Sequence, residues 1–535
     1  MREKSQQGER AMALFLVFWA LLFGGLARLA PAMGNVMPVN DGGLFYSMAQ
    51  DIRDAGFSLP EFASFNQAGI PFAYPPLALY LAAFGEALVP LLQIVRWLPP
   101  IVSVITILAF YLLSRALLKS ELQAGLATVA FALMPAAYDL TISGGGVTRS
   151  FGLFFSICTL YYLYRMFSKP RLREVLLTAV MTSFLVLSHP VAAVHTVLSA
   201  LVFWWFFGSN RQSTRNALGV VALTLLFTAP WWLTVVTRHG IDPYLNAFQS
   251  GVDRLVFLMP LLRLDLGSEI FLDFISVLAM LGLIRCIVRR EYFLPLWILM
   301  IFVVGRDAQT ATALPVALAA SLGITDVIFS GLRTLERNFK SGGQPLNAVP
   351  ESDFQTWFES NRGPKLIIGF FLIYSVFNVL AYTFSISIHV TDAEQKAIEW
   401  VNQNTPTDTR FLVLTLGDPL NTPLQEWFPV LTKRVNLMVV QGYEWLPGQQ
   451  FAQRLDDYKL LQPCFTENWS CVADFAAARN FEFDYVYVYQ GYVGREEISP
   501  TEPKLAGWLL QDLYASPDFV PIYEQGFISI FQVVK

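Results

Sequence analysis

Residues 11–31, AMALFLVFWALLFGGLARLAP, form an apolar run as long as a helix that crosses a lipid bilayer. Comparable runs recur along the chain as far as residue 388 and then stop. Of the 535 residues, 54% are hydrophobic and only 15% are charged, which is too much apolar surface for one soluble core. We therefore predict a polytopic α-helical membrane protein whose character changes near residue 390.

The apolar runs predict about eleven membrane-spanning helices. The segment 76–92 is also apolar, but it contains Glu86 and a proline near its end. We predict that it is an interfacial or half-inserted helix, although the sequence alone leaves open whether it crosses. The predicted spans lie near 11–31, 95–118, 123–139, 149–167, 174–188, 190–208, 217–237, 269–288, 292–305, 311–330 and 365–388.

Basic residues are divided unevenly between the two sides of the predicted membrane region. With a cytoplasmic N-terminus, the cytoplasmic segments, including the long loop 331–364 and Lys365 directly after it, carry 19 Lys and Arg, whereas the opposite side carries eight before residue 390. This positive-inside pattern predicts that the chain beyond 390 is extracytoplasmic. All eight outer residues are arginines, which suits bidentate phosphate binding, although chance and interface anchoring explain them equally well. They are Arg28, Arg53, Arg96, Arg149, Arg238, Arg254, Arg263 and Arg306.

The last 145 or so residues have the pattern of a water-facing domain. Thr391 or Asp392 can cap a helix that ends near Asn402, and a second helix is predicted at 504–514. We therefore divide the chain into a membrane domain, 1–390, and an extracytoplasmic mixed α/β domain, 391–535. Its predicted strands lie at 410–415, 484–489, 519–523 and 527–534.

Several classes of function receive no support from the sequence. The net charge is −4, and no basic cluster interleaved with aromatics suggests a nucleic-acid surface, so we predict no nucleic-acid partner. The four histidines lack the spacing of zinc ligands. Cys464 and Cys471 have six residues between them in the predicted soluble domain, and they could form a disulfide in an oxidising compartment.

The longest predicted outer loop, 32–75, contains the first candidate for chemistry. It carries Asn40-Asp41-Gly42-Gly43 soon after the first span and closes with Tyr74-Pro75-Pro76 before the next apolar helix. An acid is thus fixed at the membrane surface. The same four residues are also a strong turn signature, in which the aspartate would bond only to its own backbone.

The second outer loop, 138–151, contains Asp139 and three successive glycines at 144–146, followed by Arg149. The glycines could let backbone N–H groups approach a phosphate, with the arginine beside them; a flexible connection between two spans explains them equally well. Elsewhere, His189 lies at an outer helix break, where it could contact phosphate or have a purely structural role.

The order of these elements resembles the GT-C superfamily of membrane glycosyltransferases. The likeness consists of an acid after the first span, a Tyr-Pro-Pro-Leu element at the next apolar helix, a small-residue-rich second loop and an extracytoplasmic tail. It covers roughly residues 1–390 and implies a polyprenyl-phosphate-linked sugar donor. In this resemblance Asp41 matches the acid that acts as catalytic base or helps to organise a divalent cation, Mg²⁺ or Mn²⁺.

The resemblance also places further residues and shows departures. Arg306 matches a segment that relatives place near the lipid phosphate, although Asp307 could simply pair with it. Many relatives carry an acid where this chain has Thr148 and Arg149, so Asp139 could replace that acid or the role could be missing. Tyr74 stands where some relatives have a basic residue.

The sequence therefore leads to one principal hypothesis and two alternatives. The principal one is an inverting glycosyltransferase that moves a sugar from a polyprenyl-phosphate donor to a lipid, glycan or protein at the outer face of the cell membrane, among membrane lipids. One alternative is a transporter or flippase, which would need ionisable residues or broken helices near the midplane. The other is an inactive relative that binds a polyprenyl glycan in the cell envelope.

Overall fold

The computed structural model describes residues 2–34, 36–250, 265–341, 357–358, 360–385, 390–490 and 506–534. Its larger part is helical. Each of the eleven predicted spans contains a helix, which confirms the polytopic helical fold. Within the described ranges, six helical segments are both long and apolar enough to cross a membrane: Gly8–Gly34, Leu91–Leu117, Pro190–Phe207, Arg211–His239, Ala308–Phe339 and Gly363–Thr383.

Sixteen helices precede residue 390 in the described part of the chain. The helices are α1 Arg2–Gly34, α2 Gly42–Asp54, α3 Leu77–Gly85, α4 Leu91–Leu117, α5 Glu121–Leu133, α6 Asp139–Ile142, α7 Gly146–Ser168, α8 Leu172–Val186, α9 Pro190–Phe207, α10 Arg211–His239, α11 Asp242–Gln249, α12 Phe274–Val288, α13 Phe293–Phe302, α14 Ala308–Leu322, α15 Phe329–Ser341 and α16 Gly363–Ser385. A π-helical turn, Gly323–Ile328, joins α14 to α15.

The apolar segment 76–92 is broken into a short helix and the start of the next one. Helix α3 has nine residues and is therefore about 13 Å long, less than half the hydrocarbon thickness. It ends at Gly85, and Pro90 precedes α4. Helix α3 is thus too short to cross the membrane. A half-inserted helix, as predicted from the sequence, would have this length.

Small residues allow close packing between membrane helices. A Cβ on Gly282 of α12 would overlap the backbone of Ala319 on α14, and one on Gly323 would overlap the carbonyl of Leu278. Such contacts bring helix backbones together where lipid provides no hydrophobic driving force. Helix α14, which follows Asp307, is packed against α12 in this way.

One of the eight outer arginines has a structural role. Arg28 on α1 is fully buried, and its guanidinium donates to the carbonyl of Ala132 at 2.6 Å and to Ser103 Oγ at 3.0 Å. The cation also lies 4.5 Å from the ring centre of Tyr138. Arg28 therefore joins α1, α4 and α5, and its charge is not presented to a ligand.

The chain after residue 390 forms a five-stranded mixed sheet in the order β4-β3-β5-β7-β6. Strands β3, β4 and β5 are parallel, whereas β7 is antiparallel to both of its neighbours. Before it, Phe62–Ala63 (β1) and Ile70–Pro71 (β2) form a small antiparallel pair in the first outer loop. The sheet strands are β3 Arg410–Leu414, β4 Val435–Asn436, β5 Tyr485–Tyr489, β6 Phe519–Gln525 and β7 Ile528–Val533.

The helices around the sheet are partly those that the sequence predicts. The Thr391 hydroxyl and the Glu394 side chain form a reciprocal capping box at the first of them. The short strand β4 and the helices between 423 and 478 are not among the predictions. The helices are α17 Asp392–Asn404, α18 Pro423–Thr432, α19 Gln450–Leu461, α20 Trp469–Ala478 and α21 Gly507–Ala515.

A single hydrophobic cluster joins the first outer loop to the C-terminal sheet. It includes Phe45 and Met48 of α2, Tyr74 before α3, and Trp427 of α18, all buried. The sheet is thus packed against the loop that carries Asp41. The division at residue 390 and the side of the membrane on which the sheet lies remain predictions.

Candidate active site

Asp41 immediately precedes α2, and its backbone has the left-handed conformation, with φ 78°. Asn40 is left-handed too, with φ 70°. Asparagine and aspartate tolerate this region better than other non-glycine residues, so the sequence at 40–41 suits the bend. The Asp41 side chain makes no capping hydrogen bond to α2. Its carboxylate is therefore directed to partners outside its own turn, unlike in the simple turn interpretation.

The partner of Asp41 is Arg149, at the start of α7. Arg149 Nη2 lies 3.1 Å from Asp41 Oδ2, and Nη1 donates to Asn40 Oδ1 at 2.8 Å. The exposed fractions of the two charged side chains are only 16% and 22%. Their attraction is therefore less screened than that of a surface pair. The structure thus brings together two of the residues that the sequence singles out.

The glycines of the second outer loop make this pairing possible. The Gly144 N–H donates to the Val39 carbonyl at 2.6 Å, and a Cβ on Gly144 would overlap the backbone of Gly42. The two outer loops are therefore in backbone contact on either side of Asp41. The N–H of Gly144 is used in this contact rather than being open to a phosphate.

Helix α18 of the C-terminal sheet region supplies a third side of the site. Glu426 Oε1 accepts from the Gly43 N–H at 2.6 Å, and Trp427 Nε1 donates to the Pro38 carbonyl at 3.0 Å. Burial, followed by the nearby charge of Asp41, raises the pKa of Glu426 to about 8. The fully buried Glu426 thus holds the start of α2, and with it Asp41.

Glu444 approaches the same place from the turn Tyr443–Trp445. Its carboxyl is close enough to Asp41 and Arg306 for their charges to act on it, and it acts in turn on Arg149. Burial, followed by the charge of Asp41, raises the pKa of Glu444 to about 7. Sequence reasoning missed Glu426 and Glu444, because neither lies in a motif or near Asp41 along the chain.

A cleft lined in part by Arg149 opens beside its ion pair with Asp41. Its walls are partly apolar and partly formed by charged and imidazole side chains. The polar lining residues are Thr141, Arg149, Ser156, His189, His195, Ser199, Asp307 and Thr310. The sequence candidates Arg149 and His189, more than 35 residues apart in the chain, therefore meet in one cavity.

His189 is the N-cap of α9. Its Nδ1 accepts from the Ala192 N–H at 3.2 Å, so a neutral ring carries its proton on Nε2. Burial lowers the pKa of His189 to about 3, and the ring is neutral at physiological pH. The cap is a structural role, while Nε2–H remains a hydrogen-bond donor for the cleft.

Arg306 and Asp307 lie just before α14. The two residues do not form an ion pair with each other. Among the described residues, Arg306 Nη1 makes only long contacts, 3.4 Å to both the Ala247 carbonyl and Ser250 Oγ. Burial alone would raise the pKa of Asp307, but interactions with nearby side chains, Arg149 first and Arg306 among them, outweigh burial and lower that pKa. The guanidinium of Arg306 is thus weakly held and can be drawn to an anion.

The two remaining candidates, Tyr74 and Asp139, make hydrogen bonds to different parts of the membrane region. The Tyr74 hydroxyl shares a hydrogen bond of 3.0 Å with Thr148 Oγ1, and its ring lies against Trp445 with 5.5 Å between ring centres. Tyr74 therefore ties the first outer loop to α7. Asp139 accepts a hydrogen bond from Tyr382 of α16, and no contact joins it to Asp41.

The Mg²⁺ or Mn²⁺ that the resemblance allows would need ligands among these side chains. In the residues that the structure describes, no three His, Cys, Asp or Glu side chains come together as metal ligands. The carboxylate of Asp41 is already paired with a guanidinium. The residues present therefore do not fit the Mg²⁺ or Mn²⁺ site that the resemblance allows.

No protein-family model matches the sequence, and no curated protein does. The structure is nevertheless similar to solved structures of membrane enzymes. The archaeal oligosaccharyltransferase AglB from Archaeoglobus fulgidus, in complex with an inhibitory peptide and a dolichol-phosphate, has a TM-score of 0.56 at 15% identity, over 89% of this chain and 69% of that one. ArnT from Cupriavidus metallidurans, bound to undecaprenyl phosphate, has a TM-score of 0.51 at 12% identity, over 97% of each chain.

These two structural neighbours are GT-C glycosyltransferases. At 12% and 15% identity the likeness concerns the arrangement of helices and the C-terminal region, and it does not extend to individual side chains. The GT-C resemblance that the sequence suggests is therefore confirmed for the fold.

Proposed function

We propose that this protein is an inverting membrane glycosyltransferase that moves a sugar from a polyprenyl-phosphate-linked donor to a lipid, glycan or protein acceptor. The observation that carries the proposal is the carboxylate of Asp41, held by Arg149 beside a cleft that also contains a histidine and lies close to Arg306. A carboxylate that could act as a base thus lies near side chains that could bind phosphate, which supports the proposal. The similarity of the fold to GT-C enzymes supports the same function.

Asp41 is the proposed general base. As the nucleophilic oxygen or nitrogen of the acceptor attacks the anomeric carbon, its proton passes to the Asp41 carboxylate. The bond between that carbon and the phosphate oxygen breaks, and its electron pair remains on the phosphate. A single displacement of this kind inverts the configuration of the sugar.

Arg149, Arg306 and His189 are the proposed phosphate-binding groups. The leaving phosphate gains negative charge as the bond breaks, and donors fixed in a poorly solvated site stabilise that charge more than water-exposed donors would. Of the three, Arg306 has the longest hydrogen-bond contacts within the protein. Arg149 binds Asp41 and Asn40, so it would link the base to the leaving group. No step requires a metal ion.

Sugar transfer in isolated membranes tests the proposal. Membranes with matched amounts of wild-type protein, Asp41→Asn or Asp54→Asn receive a panel of labelled polyprenyl-phosphate sugars. Asp54 is the matched control, because it lies at the other end of α2 and is 67% exposed. We expect the wild type and the control to consume one donor, and Asp41→Asn to be at least about 100-fold slower, as for loss of a general base.

Other outcomes separate the alternatives. If the wild-type protein consumes no donor of any kind, the proposal is wrong, and inactive binding or lipid transport becomes the better explanation. If Asp41→Asn is as active as the wild type, the protein is a transferase with a different base.

A further inference from the structure

Glu444 lies in a rigid part of the site. Its short turn begins after Gly442, where φ is 86° and a Cβ would overlap Ile70. Tyr443 accepts a hydrogen bond from Asn66 Nδ2 at 3.2 Å, while Trp445 packs against Tyr74. Contacts on both sides therefore hold the carboxyl of Glu444 in a fixed position between the first outer loop and the sheet.

One oxygen of this carboxyl has no hydrogen-bond partner. Glu444 Oε2 is buried from solvent and makes no hydrogen bond with any residue that the structure describes. A buried polar atom without a partner is costly, and in a native protein it calls for an explanation. A ligand that donates a hydrogen bond to Oε2 would explain it.

The charges around Glu444 indicate whether this ligand is the donor or the acceptor substrate. Asp41, Arg149 and Arg306 all act electrostatically on or with its carboxyl. A donor phosphate is itself an anion and a hydrogen-bond acceptor, so it suits the two arginines and would be repelled by Glu444. A hydroxyl, amide or amine of the acceptor substrate has the hydrogen that the free oxygen lacks.

Building on the proposed transferase function, we propose that Glu444 holds the nucleophilic group of the acceptor beside Asp41. The cationic groups bind the donor phosphate, and the C-terminal region supplies the acceptor side of the same site. Glu444 accepts a hydrogen bond from the second N–H of an amide or amine nucleophile, or from a donor group next to an attacking hydroxyl. The proton lost by the attacking atom goes to Asp41. The C-terminal region thus contributes directly to the reaction centre.

The test compares donor binding with sugar transfer. The variants are Glu444→Gln, Glu444→Asp and the control Glu399→Gln, which removes an exposed carboxylate from α17 of the same region. Binding is measured on purified full-length protein in lipid nanodiscs with undecaprenyl phosphate as the probe. Transfer is measured in membranes with the donor that the wild type consumes, across pH 5.5 to 8.5. Elution profile and thermal unfolding temperature verify folding of each variant.

We expect Glu444→Gln to bind undecaprenyl phosphate within about twofold of the wild type and to transfer sugar at least about tenfold more slowly. Wild-type transfer should rise with pH around 7, where Glu444 loses its proton next to Asp41, Arg149 and Arg306. This rise should be absent in Glu444→Gln and partly restored in Glu444→Asp.

Two results would overturn the inference while leaving the transferase proposal intact. The first is that the Glu444→Gln variant transfers sugar as fast as the wild type. The other is a loss of undecaprenyl phosphate binding as large as the loss of transfer, which would assign Glu444 to the donor side. Absence of transfer by the wild type overturns both proposals together.

Discussion

Replacing Glu426 by Gln should make the stability of the protein less dependent on pH. The folded protein raises the pKa of this carboxyl to about 8, whereas an unfolded chain leaves a glutamate near 4.3. Between these values the folded state binds more protons than the unfolded state. Stability from this group is therefore present at low pH and is lost as the pH rises toward 8.

The size of the effect follows from the same two values. Between pH 5 and pH 7 the unfolding free energy of the wild type should fall by roughly 2 to 3 kcal/mol because of Glu426 alone. A glutamine has no proton to lose, and its Oε1 can still accept from the Gly43 N–H. Glu426→Gln should therefore keep the contact that holds Asp41 while removing this contribution to the pH slope.

Urea unfolding of full-length protein in detergent, followed by tryptophan fluorescence at several pH values, measures the slope. His189 contributes in the opposite direction, so the quantity of interest is the difference between variant and wild type. Glu399→Gln serves as the control, with an unchanged slope expected. Equal slopes for wild type and Glu426→Gln would refute the reasoning.

Two further changes test the contacts around the site and in the sheet. Gly144→Ala should lower sugar transfer at least about tenfold and destabilise the protein by about 1 to 3 kcal/mol, since its methyl group would force the two outer loops apart; transfer by Gly219→Ala, which has open space around it, should not change. Cys464 and Cys471 are joined in a disulfide in the structure, so both thiols should resist alkylation until a reductant is added. Replacing both by serine should cost about 2 kcal/mol of stability, and reactive thiols in the unreduced wild type would contradict the bond.

Local patterns in the sequence were enough to predict much of the fold. Apolar runs located the spans, because a helix that crosses lipid must be apolar along its whole length. Thr391 and the alternating strand at 484–489 were also recognisable from neighbouring residues alone. The helices between 423 and 478 carry no comparable pattern, and they were missed.

The site was less predictable, because its contacts join distant parts of the chain. Asp41 and Arg149 were identified singly, but nothing in the sequence indicated that they pair. Glu426 and Glu444 are two acids among 41 acidic residues, and only the folded structure distinguishes them by burial beside Asp41. The resemblance singles out Arg306 among the eight outer arginines, but nothing in the sequence indicates that Arg28 has a structural role.

The hydrogen bond between Gly43 and Glu426 also has a consequence for biosynthesis. Its two residues are 383 positions apart. At ribosomal rates of about 5 to 20 residues per second, Asp41 is made roughly 20 to 80 s before the carboxyl that holds its loop. During that interval the early membrane helices can insert and meet lipid-linked sugars while the reaction centre is still incomplete. If the protein is the proposed transferase, a nascent or truncated chain should therefore be inactive, and activity should begin only when synthesis is nearly finished.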